Sequence, residues 1–224
     1  MGFDNEFSSG IGPIVCDIET ASLPNAADFL EPVKPDSRLK DPAKIAADIE
    51  EKTAARLEKI GLDRNVGRIV ALGWWTEQNG EFYGVCRDEM EERRALGGFW
   101  SSCKHRTIVG FNVKDFDLKY MIQRSRYLGV PHPILDLGKY TRKGIIDLFS
   151  ELTFNDGIHD QGAMRRTLKA FCRRFGIPVD DAIDGKDIGA LVAAGDWAAV
   201  EAHVRSDVAL TVKLAQRLGV VAVP

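Results

Sequence analysis

The stretch that decides the fold lies at residues 14–20 and reads Ile14-Val15-Cys16-Asp17-Ile18-Glu19-Thr20. Its β-branched and apolar residues predict a buried strand. Successive side chains of a strand point to opposite faces, so Asp17 and Glu19 must share one face. Two neighbouring carboxylates on a core strand repel each other and are costly to desolvate. A divalent cation held between them would remove both penalties, and the strand therefore predicts a metal site.

The composition is that of an ordinary globular protein. The chain has 224 residues, of which 45% are hydrophobic and 28% charged, and we expect one domain over residues 1–224. The net charge of −3 excludes a protein that is basic throughout, but it allows a local basic patch. No run reaches about 18 apolar residues and the start has no basic signal, so we expect a cytoplasmic protein that uses no membrane. The four cysteines form no CxxC pair and are expected to be reduced core thiols.

The first strand, at about 13–19, is followed by a long insertion. Residues 1–12 are polar and glycine-rich and predict a loose lead-in. The insertion, residues 21–62, begins with a proline-rich loop and continues with a helix that opens at Asp41-Pro42 and ends at Gly61. Either this helix lies on the surface in contact with water, or it forms a flap near the mouth of the site.

The remaining pattern alternates strands and helices. Two strands joined by an Asn-Gly turn come first, followed by a helix, a strand, a helix and a strand, and then by helices alone. The predicted strands are 68–75, 81–86, 107–111 and 144–149, and the predicted helices are 88–103, 117–128, 162–175, 187–194 and 196–218. This order predicts an α/β, ribonuclease-H-like fold. Its five-stranded mixed sheet would have three antiparallel strands, then two parallel ones, flanked by helices.

A second acidic position follows the strand at 107–111. Asn112 lies in the turn after this strand, and Asp117 opens the next helix. An acid at a helix N-terminus can be a simple cap. The carboxyl end of an inner strand is also where ligands gather in α/β sheets. Asp115 is a competing candidate, better suited to a purely capping role.

A third position lies in the last predicted helix. His203 and Asp207 are four residues apart, so both project from one side, at the edge of an apolar stripe. That stripe contains Val200, Val204, Val208, Thr211 and Leu218. Such a pair can be a surface hydrogen bond. In a chain that already carries an acid pair it favours a shared site.

Basic residues form two blocks in this acidic chain. Residues 101–143 carry nine lysines and arginines against three acids, and residues 165–174 carry five with no acid. Each block alone can be a face in contact with water. Two blocks that flank an acidic metal site favour a polyanionic substrate such as a nucleic-acid backbone.

Together these residues resemble a known family. Asp17-Ile18-Glu19-Thr20, then Asn112 with Phe116-Asp117, then His203 to Asp207 resemble the three motifs of the DEDD superfamily of 3′–5′ exonucleases. The nearest resemblance is to stand-alone phage or prophage proteins related to the proofreading domain of family-B DNA polymerases, over about residues 13–218. In that superfamily the third motif has a Tyr four residues before its Asp, or a His five before it. Here His203 stands at the Tyr spacing.

The resemblance implies a ribonuclease-H-like fold and a two-metal mechanism. Two Mg²⁺ or Mn²⁺ ions would be held by Asp17, Glu19, Asp117 and Asp207, and would activate water and stabilise the leaving 3′-oxygen. His203 would orient or deprotonate that water, since histidine exchanges protons near neutral pH. The terminal nucleotide would be held by Ile18, Thr20, Asn112 and Phe116.

The resemblance also implies a substrate and products. We expect hydrolysis from the 3′ ends of single-stranded DNA, release of nucleoside 5′-monophosphates, and a polymerase that acts in trans. The alternatives are an exoribonuclease or another nuclease of the same fold, and a nucleic-acid-binding module without activity.

Overall fold

The computed structural model describes residues 12–138, 141, 143–154 and 166–222. The predicted lead-in therefore lies almost wholly outside the described residues. So do Lys139, Arg142 and Arg165 of the basic blocks, and the first residues of the helix predicted at 162–175.

A five-stranded mixed sheet forms the centre of the fold. Its strands are β1 (Ile14–Ser22), β2 (Gly67–Thr76), β3 (Gly80–Val85), β4 (Ile108–Gly110) and β5 (Ile145–Asp147). The spatial order is β3-β2-β1-β4-β5. The pairs β1–β2 and β2–β3 are antiparallel, and the pairs β1–β4 and β4–β5 are parallel. The predicted sheet is confirmed, and β1 is its middle strand.

Seven α-helices flank the sheet within the described residues. They are α1 (Pro42–Lys59), α2 (Glu89–Ser102), α3 (Asp117–Leu128), α4 (Leu148–Thr153), α5 (Leu168–Arg174), α6 (Ile188–Ala194) and α7 (Trp197–Arg217). Side-chain caps define several starts: Asp41, Asp88 and Asp196 each accept a hydrogen bond from the first turn of α1, α2 and α7. The left-handed Gly129 ends α3, as the sequence predicted.

Two predicted boundaries were wrong. The strand predicted at 144–149 ends at Asp147, because the Asp147 carboxylate accepts hydrogen bonds from the Phe149 and Ser150 N–H groups and starts α4. In the described part of the helix predicted at 162–175, residues 166 and 167 are not helical and α5 begins at Leu168. The Thr167 hydroxyl caps it by accepting from the Ala170 N–H. In both places a side-chain cap sets a boundary that apolar periodicity does not indicate.

The two faces of β1 pack against two different hydrophobic clusters. Ile14, Cys16 and Ile18 join the hydrophobic cluster that α2 and α3 contribute to. On the opposite face Val15 packs with residues of α5 and α7, including Leu210 and Leu214. Asp17 and Glu19 alternate with the first set and therefore point towards the α7 side.

Several details complete the framework. Every described side chain of α1 is at least partly exposed, which agrees with a surface helix. All four cysteines are buried thiols, as predicted.

A buried ion pair ties α3 to α2. The Arg124 guanidinium donates two hydrogen bonds to Glu92, of 2.7 and 2.8 Å, and Glu92 also accepts from the Ile69 N–H of β2. Among the described residues, no helix is long and apolar enough to cross a membrane.

Candidate active site

The centre of the site is the pair of acids on β1. Asp17 is partly buried and the Glu19 side chain is 9% exposed. Asp17 pairs across the antiparallel ladder with Gly73 of β2. A Cβ at Gly73 would lie 2.9 Å from a Val208 methyl and 3.3 Å from a Val204 methyl. The missing side chain thus lets α7 approach β1 and β2 closely, beside the two acids.

Asp117 reaches the same strand from the loop after β4. A Cβ at Gly110 would lie 2.7 Å from Val113 Cβ, so the chain can turn sharply where β4 ends. This turn brings Asp117 to the backbone of β1, where its Oδ1 accepts a hydrogen bond of 3.2 Å from the Ile18 N–H. Asp117 is buried, and α3 has no side-chain cap. The capping interpretation is therefore wrong for Asp117. The exposed Asp115 instead pairs with Lys119 at 2.6 Å.

The loop between β4 and α3 is held by a buried carboxylate. Asp147 accepts hydrogen bonds of 3.0 Å each from the Asn112 and Lys114 N–H groups, in addition to those from α4. Asn112 adopts a left-handed backbone conformation (φ 61°), which asparagine tolerates better than most residues. Phe116 lies at the start of α3, with its ring 5.5 Å from that of Tyr120. Asp147 thereby sets the position of both Asn112 and Asp117.

The last helix supplies the histidine and the fourth acid. His203 is 2% exposed, and its Nε2 lies 3.3 Å from Glu19 Oε1 and 3.9 Å from Asp207 Oδ2. One ligand atom from each of these three residues lies within 4.8 Å of the others. Four residues of the predicted apolar stripe hold this arrangement, since Val200, Val204, Val208 and Thr211 are fully buried. The fifth, Leu218, follows the end of α7 and is only partly buried.

All four acids have raised pKa values, and burial is the largest cause for each. Burial is the largest cause of the raised pKa of Asp17, followed by the charges of Asp117, Glu19 and Asp207. Burial likewise raises the pKa of Glu19, again with Asp207 and Asp117 as the next causes. Burial raises the pKa of Asp117 to about 7. It also raises that of Asp207, although the nearby His203 and Lys169 oppose the shift. The fold therefore contains the predicted cost of burying neighbouring carboxylates.

These residues fit a divalent cation. Carboxylate oxygens are the ligands that Mg²⁺ and Mn²⁺ prefer. Asp207 Oδ1 is buried and has no hydrogen-bond partner within the described residues, although such atoms are normally satisfied. A cation would satisfy that oxygen and offset the repulsion between the acids.

The structure adds a residue that the sequence did not indicate. Asp181, in the segment between α5 and α6, lies with its Oδ2 2.5 Å from His203 Nδ1. The Lys169 ammonium donates to the same oxygen at 3.1 Å and also to the Ile183 carbonyl. Asp181 stands beside Asp180 in a loop without periodicity, and no local pattern distinguishes the two.

The proposed nucleotide-binding residues are divided between two places. The Ile18 side chain is in the core and its N–H is bonded to Asp117. Thr20 hydrogen-bonds with Tyr120, on the α3 side of the sheet. Asn112 and Phe116 are both partly exposed in the loop next to the acids. Substrate contacts by these four residues stay predictions.

Three described cations of the basic blocks have partners within the protein. Lys114 donates to the Thr141 carbonyl, Arg124 is buried against Glu92, and Lys169 is bound to Asp181. These three side chains are held inside the protein and are poorly placed to contact a phosphate backbone. Arg173 and Arg174 at the end of α5 are exposed.

Comparison with known proteins agrees with this architecture. The sequence matches the RNase H superfamily over residues 57–218. The chain belongs to the RNase H superfamily. Nucleases of this superfamily act on nucleic acids and generally use divalent metals. This RNase H superfamily member matches no curated protein.

A solved structure gives the same fold for this RNase H superfamily member. It resembles the family B DNA polymerase from the hyperthermophilic archaeon Pyrobaculum calidifontis with a TM-score of 0.60 and 20% sequence identity. The match covers 92% of this chain and 24% of the polymerase chain. This chain therefore corresponds in fold to about a quarter of that polymerase.

Proposed function

We propose that this protein is a metal-dependent 3′–5′ exonuclease formed by a single domain. It would hydrolyse phosphodiester bonds from the 3′ end of single-stranded DNA and release nucleoside 5′-monophosphates. The observation that carries the proposal is the convergence of Asp17, Glu19, Asp117 and Asp207 beside a buried histidine. Their raised pKa values, and the unpartnered Asp207 Oδ1, support a cation site at this position.

The four carboxylates are the proposed ligands of two Mg²⁺ or Mn²⁺ ions. When bound, such ions would lower the pKa of a water molecule, orient the phosphate and stabilise charge on the leaving oxygen. Asp17 and Glu19 come from the rigid middle strand, and Asp117 is anchored to that strand through the Ile18 N–H. Asp207 comes from α7, which packs closely over Gly73. Ligands held on rigid elements keep a defined geometry.

His203 is the proposed proton acceptor. Its Nε2 faces the acids, where an attacking water would lie. Nε2 would accept one proton of that water, and the hydroxide oxygen would form a bond to phosphorus. The bond from phosphorus to the 3′-oxygen of the preceding nucleotide would then break, and that oxygen would take a proton from solvent. The Nε2 proton would return to solvent, which leaves the imidazole ready for another cycle.

DNA is proposed as the substrate for two reasons. The three motifs resemble those of exonucleases related to polymerase proofreading domains, and the solved structure of similar fold is a DNA polymerase. Asn112 and Phe116, in the loop beside the acids, are proposed to hold the terminal nucleotide together with the backbone of Ile18 and Thr20. A polymerase in trans and a phage or prophage origin are parts of the same proposal.

The decisive assay is a time course on 5′-labelled and 3′-labelled DNA and RNA oligonucleotides of one sequence, with Mg²⁺, Mn²⁺ or a chelator. We expect a ladder that shortens from the 3′ end of 5′-labelled DNA, and immediate release of mononucleotide from 3′-labelled DNA. Chelation should abolish both. Shortening from the 5′ end, or internal cuts, would refute the proposed polarity. Degradation of RNA alone would make the protein an exoribonuclease.

Two acids only two residues apart provide a matched pair of variants. Asp117→Asn should abolish hydrolysis, because it removes one of the four carboxylates. Asp115→Asn should keep the wild-type rate, because it removes only an exposed pair with Lys119. Equal activity of both variants would contradict the proposed site. No cleavage by the wild-type protein with either metal would favour a binding module.

A further inference from the structure

The ring of His203 is held from behind by a carboxylate outside the four-acid set. Asp181 Oδ2 lies 2.5 Å from His203 Nδ1, while Nε2, on the other edge of the ring, faces Glu19 and Asp207. The histidine side chain is almost completely buried, so its ring has little freedom to turn. The two nitrogens therefore have separate environments, one towards Asp181 and one towards the site.

Asp181 can only accept hydrogen bonds in this arrangement. The Ile183 N–H donates to its Oδ1 at 2.8 Å, and the Lys169 ammonium donates to its Oδ2 at 3.1 Å. Hydrogen bonds from Ile183, His203 and Lys169 outweigh the effect of burial and lower the pKa of Asp181, so the carboxylate is charged at neutral pH. With both oxygens occupied by donors, Asp181 is also poorly placed to hold a metal ion.

We propose that Asp181, held by Lys169, is a positioning residue that keeps the proton of His203 on Nδ1 and turns the bare Nε2 towards the acids. This inference rests on the proposed function, because it assigns how the catalytic histidine is prepared. A ring nitrogen can accept a proton from water only if it carries none itself. A fixed tautomer would thus preserve the reactive form of His203 at each turnover.

Replacement of Asp181 by asparagine reverses the hydrogen bonding. The amide has one acceptor oxygen. We expect it to stay with the backbone N–H of Ile183, because Lys169 keeps the Ile183 carbonyl as an acceptor. The amide NH₂ would then face Nδ1, which would have to accept, and the proton would move to Nε2. We expect the rate constant kcat of Asp181→Asn to fall by about 10²–10⁴-fold with little change in KM.

The direct test is ¹⁵N NMR of the histidine ring, which distinguishes a protonated ring nitrogen from a bare one. The chain has four histidines, and a His203→Ala variant identifies the relevant signals. At mildly alkaline pH with Mg²⁺ present, we expect the Nδ1–H form in the wild-type protein and the Nε2–H form in Asp181→Asn. A wild-type signal from the Nε2–H form, or an unchanged tautomer in Asp181→Asn, would overturn the proposal even if all variants cleave DNA.

Two further variants separate positioning from a general effect on folding. Asp181→Glu keeps an acceptor carboxylate and should retain the Nδ1–H form and more activity than Asp181→Asn. Asp180→Asn changes the neighbouring exposed acid and should alter neither the tautomer nor kcat. Loss of kcat in Asp180→Asn equal to that in Asp181→Asn would refute a specific role. If no variant or wild-type protein cleaves nucleic acid, the proposed function fails, while the NMR result still decides the role of Asp181.

Discussion

A methyl group at Gly73 is expected to disturb the active site from the neighbouring strand, on the same face of the sheet as the acids. The added Cβ of Gly73→Ala would lie 2.9 Å from a Val208 methyl, whereas carbon atoms normally approach to about 3.5–4.0 Å. The gap between α7 and β2 must therefore widen by about 0.6 Å or more. Val208 is fully buried, so its side chain has no free space in which to rotate away. The helix itself has to move, and it carries His203 and Asp207.

The expected losses of stability and of activity in Gly73→Ala come from overpacking of the core and from displacement of the catalytic groups. Overpacking of a core typically costs about 1–3 kcal/mol. For a chain of this size each kcal/mol lowers the melting temperature by about 2–4 °C, so Tm should fall by roughly 2–12 °C. A displacement of catalytic groups by about 1 Å can cost on the order of 10²-fold in rate, and nuclease activity should fall by up to that factor.

Calorimetry and the labelled-oligonucleotide assay measure these two quantities on the same preparations. Gly97→Ala in α2 is the matched control, because a Cβ there meets no atom within 4 Å and alanine favours a helix. It should leave the activity unchanged and the Tm equal or slightly higher. Wild-type Tm and activity in Gly73→Ala would refute the inference that close approach of α7 positions the site. A lower Tm with full activity would refute only the link between α7 and catalysis.

Three other predictions concern buried charges. Burial raises the pKa of Asp117 to about 7 in the folded protein, so the folded state binds more protons than the unfolded chain above about pH 4. The Tm of the metal-free protein should fall as pH rises from about 5 to 7. Mg²⁺ should reverse that fall, and Asp117→Asn should reduce the slope. Arg124→Met leaves Glu92 charged in the core and should lower the free energy of unfolding, measured in urea, by about 3–5 kcal/mol. Adding Glu92→Gln should recover part of that loss. Full stability of the single variant would contradict the buried pair. Asp147→Ala removes the hydrogen-bond acceptor of the loop and of α4, and should lower the free energy of unfolding by at least about 2 kcal/mol. It should also raise KM, because the loop that carries Asn112 loses its anchor. An unchanged KM would show that Asp147 does not position Asn112 for substrate.

Much of the fold could be predicted because the local signals were strong. The alternation in β1, the Asn-Gly turn before β3, the Asp41-Pro42 start of α1 and the Gly129 end of α3 each depend on neighbouring residues alone. The errors at β5 and α5 have the opposite cause. Asp147 and Thr167 set those boundaries through side-chain hydrogen bonds, while the apolar pattern continues across them.

The acid pair Asp17 and Glu19 was determined by the sequence alone, because alternation along a strand puts them on one face whatever surrounds them. The four-residue spacing of His203 and Asp207 was determined in the same way by the helix. Only the tertiary structure decided that Asp117, and not Asp115, reaches β1, since both lie where α3 begins and the turn after Gly110 selects between them. Only the tertiary structure brought Asp181 to His203, across 22 residues of sequence. Such a contact depends on how α5, α6 and α7 pack together, and the sequence near Asp181 contains no trace of it.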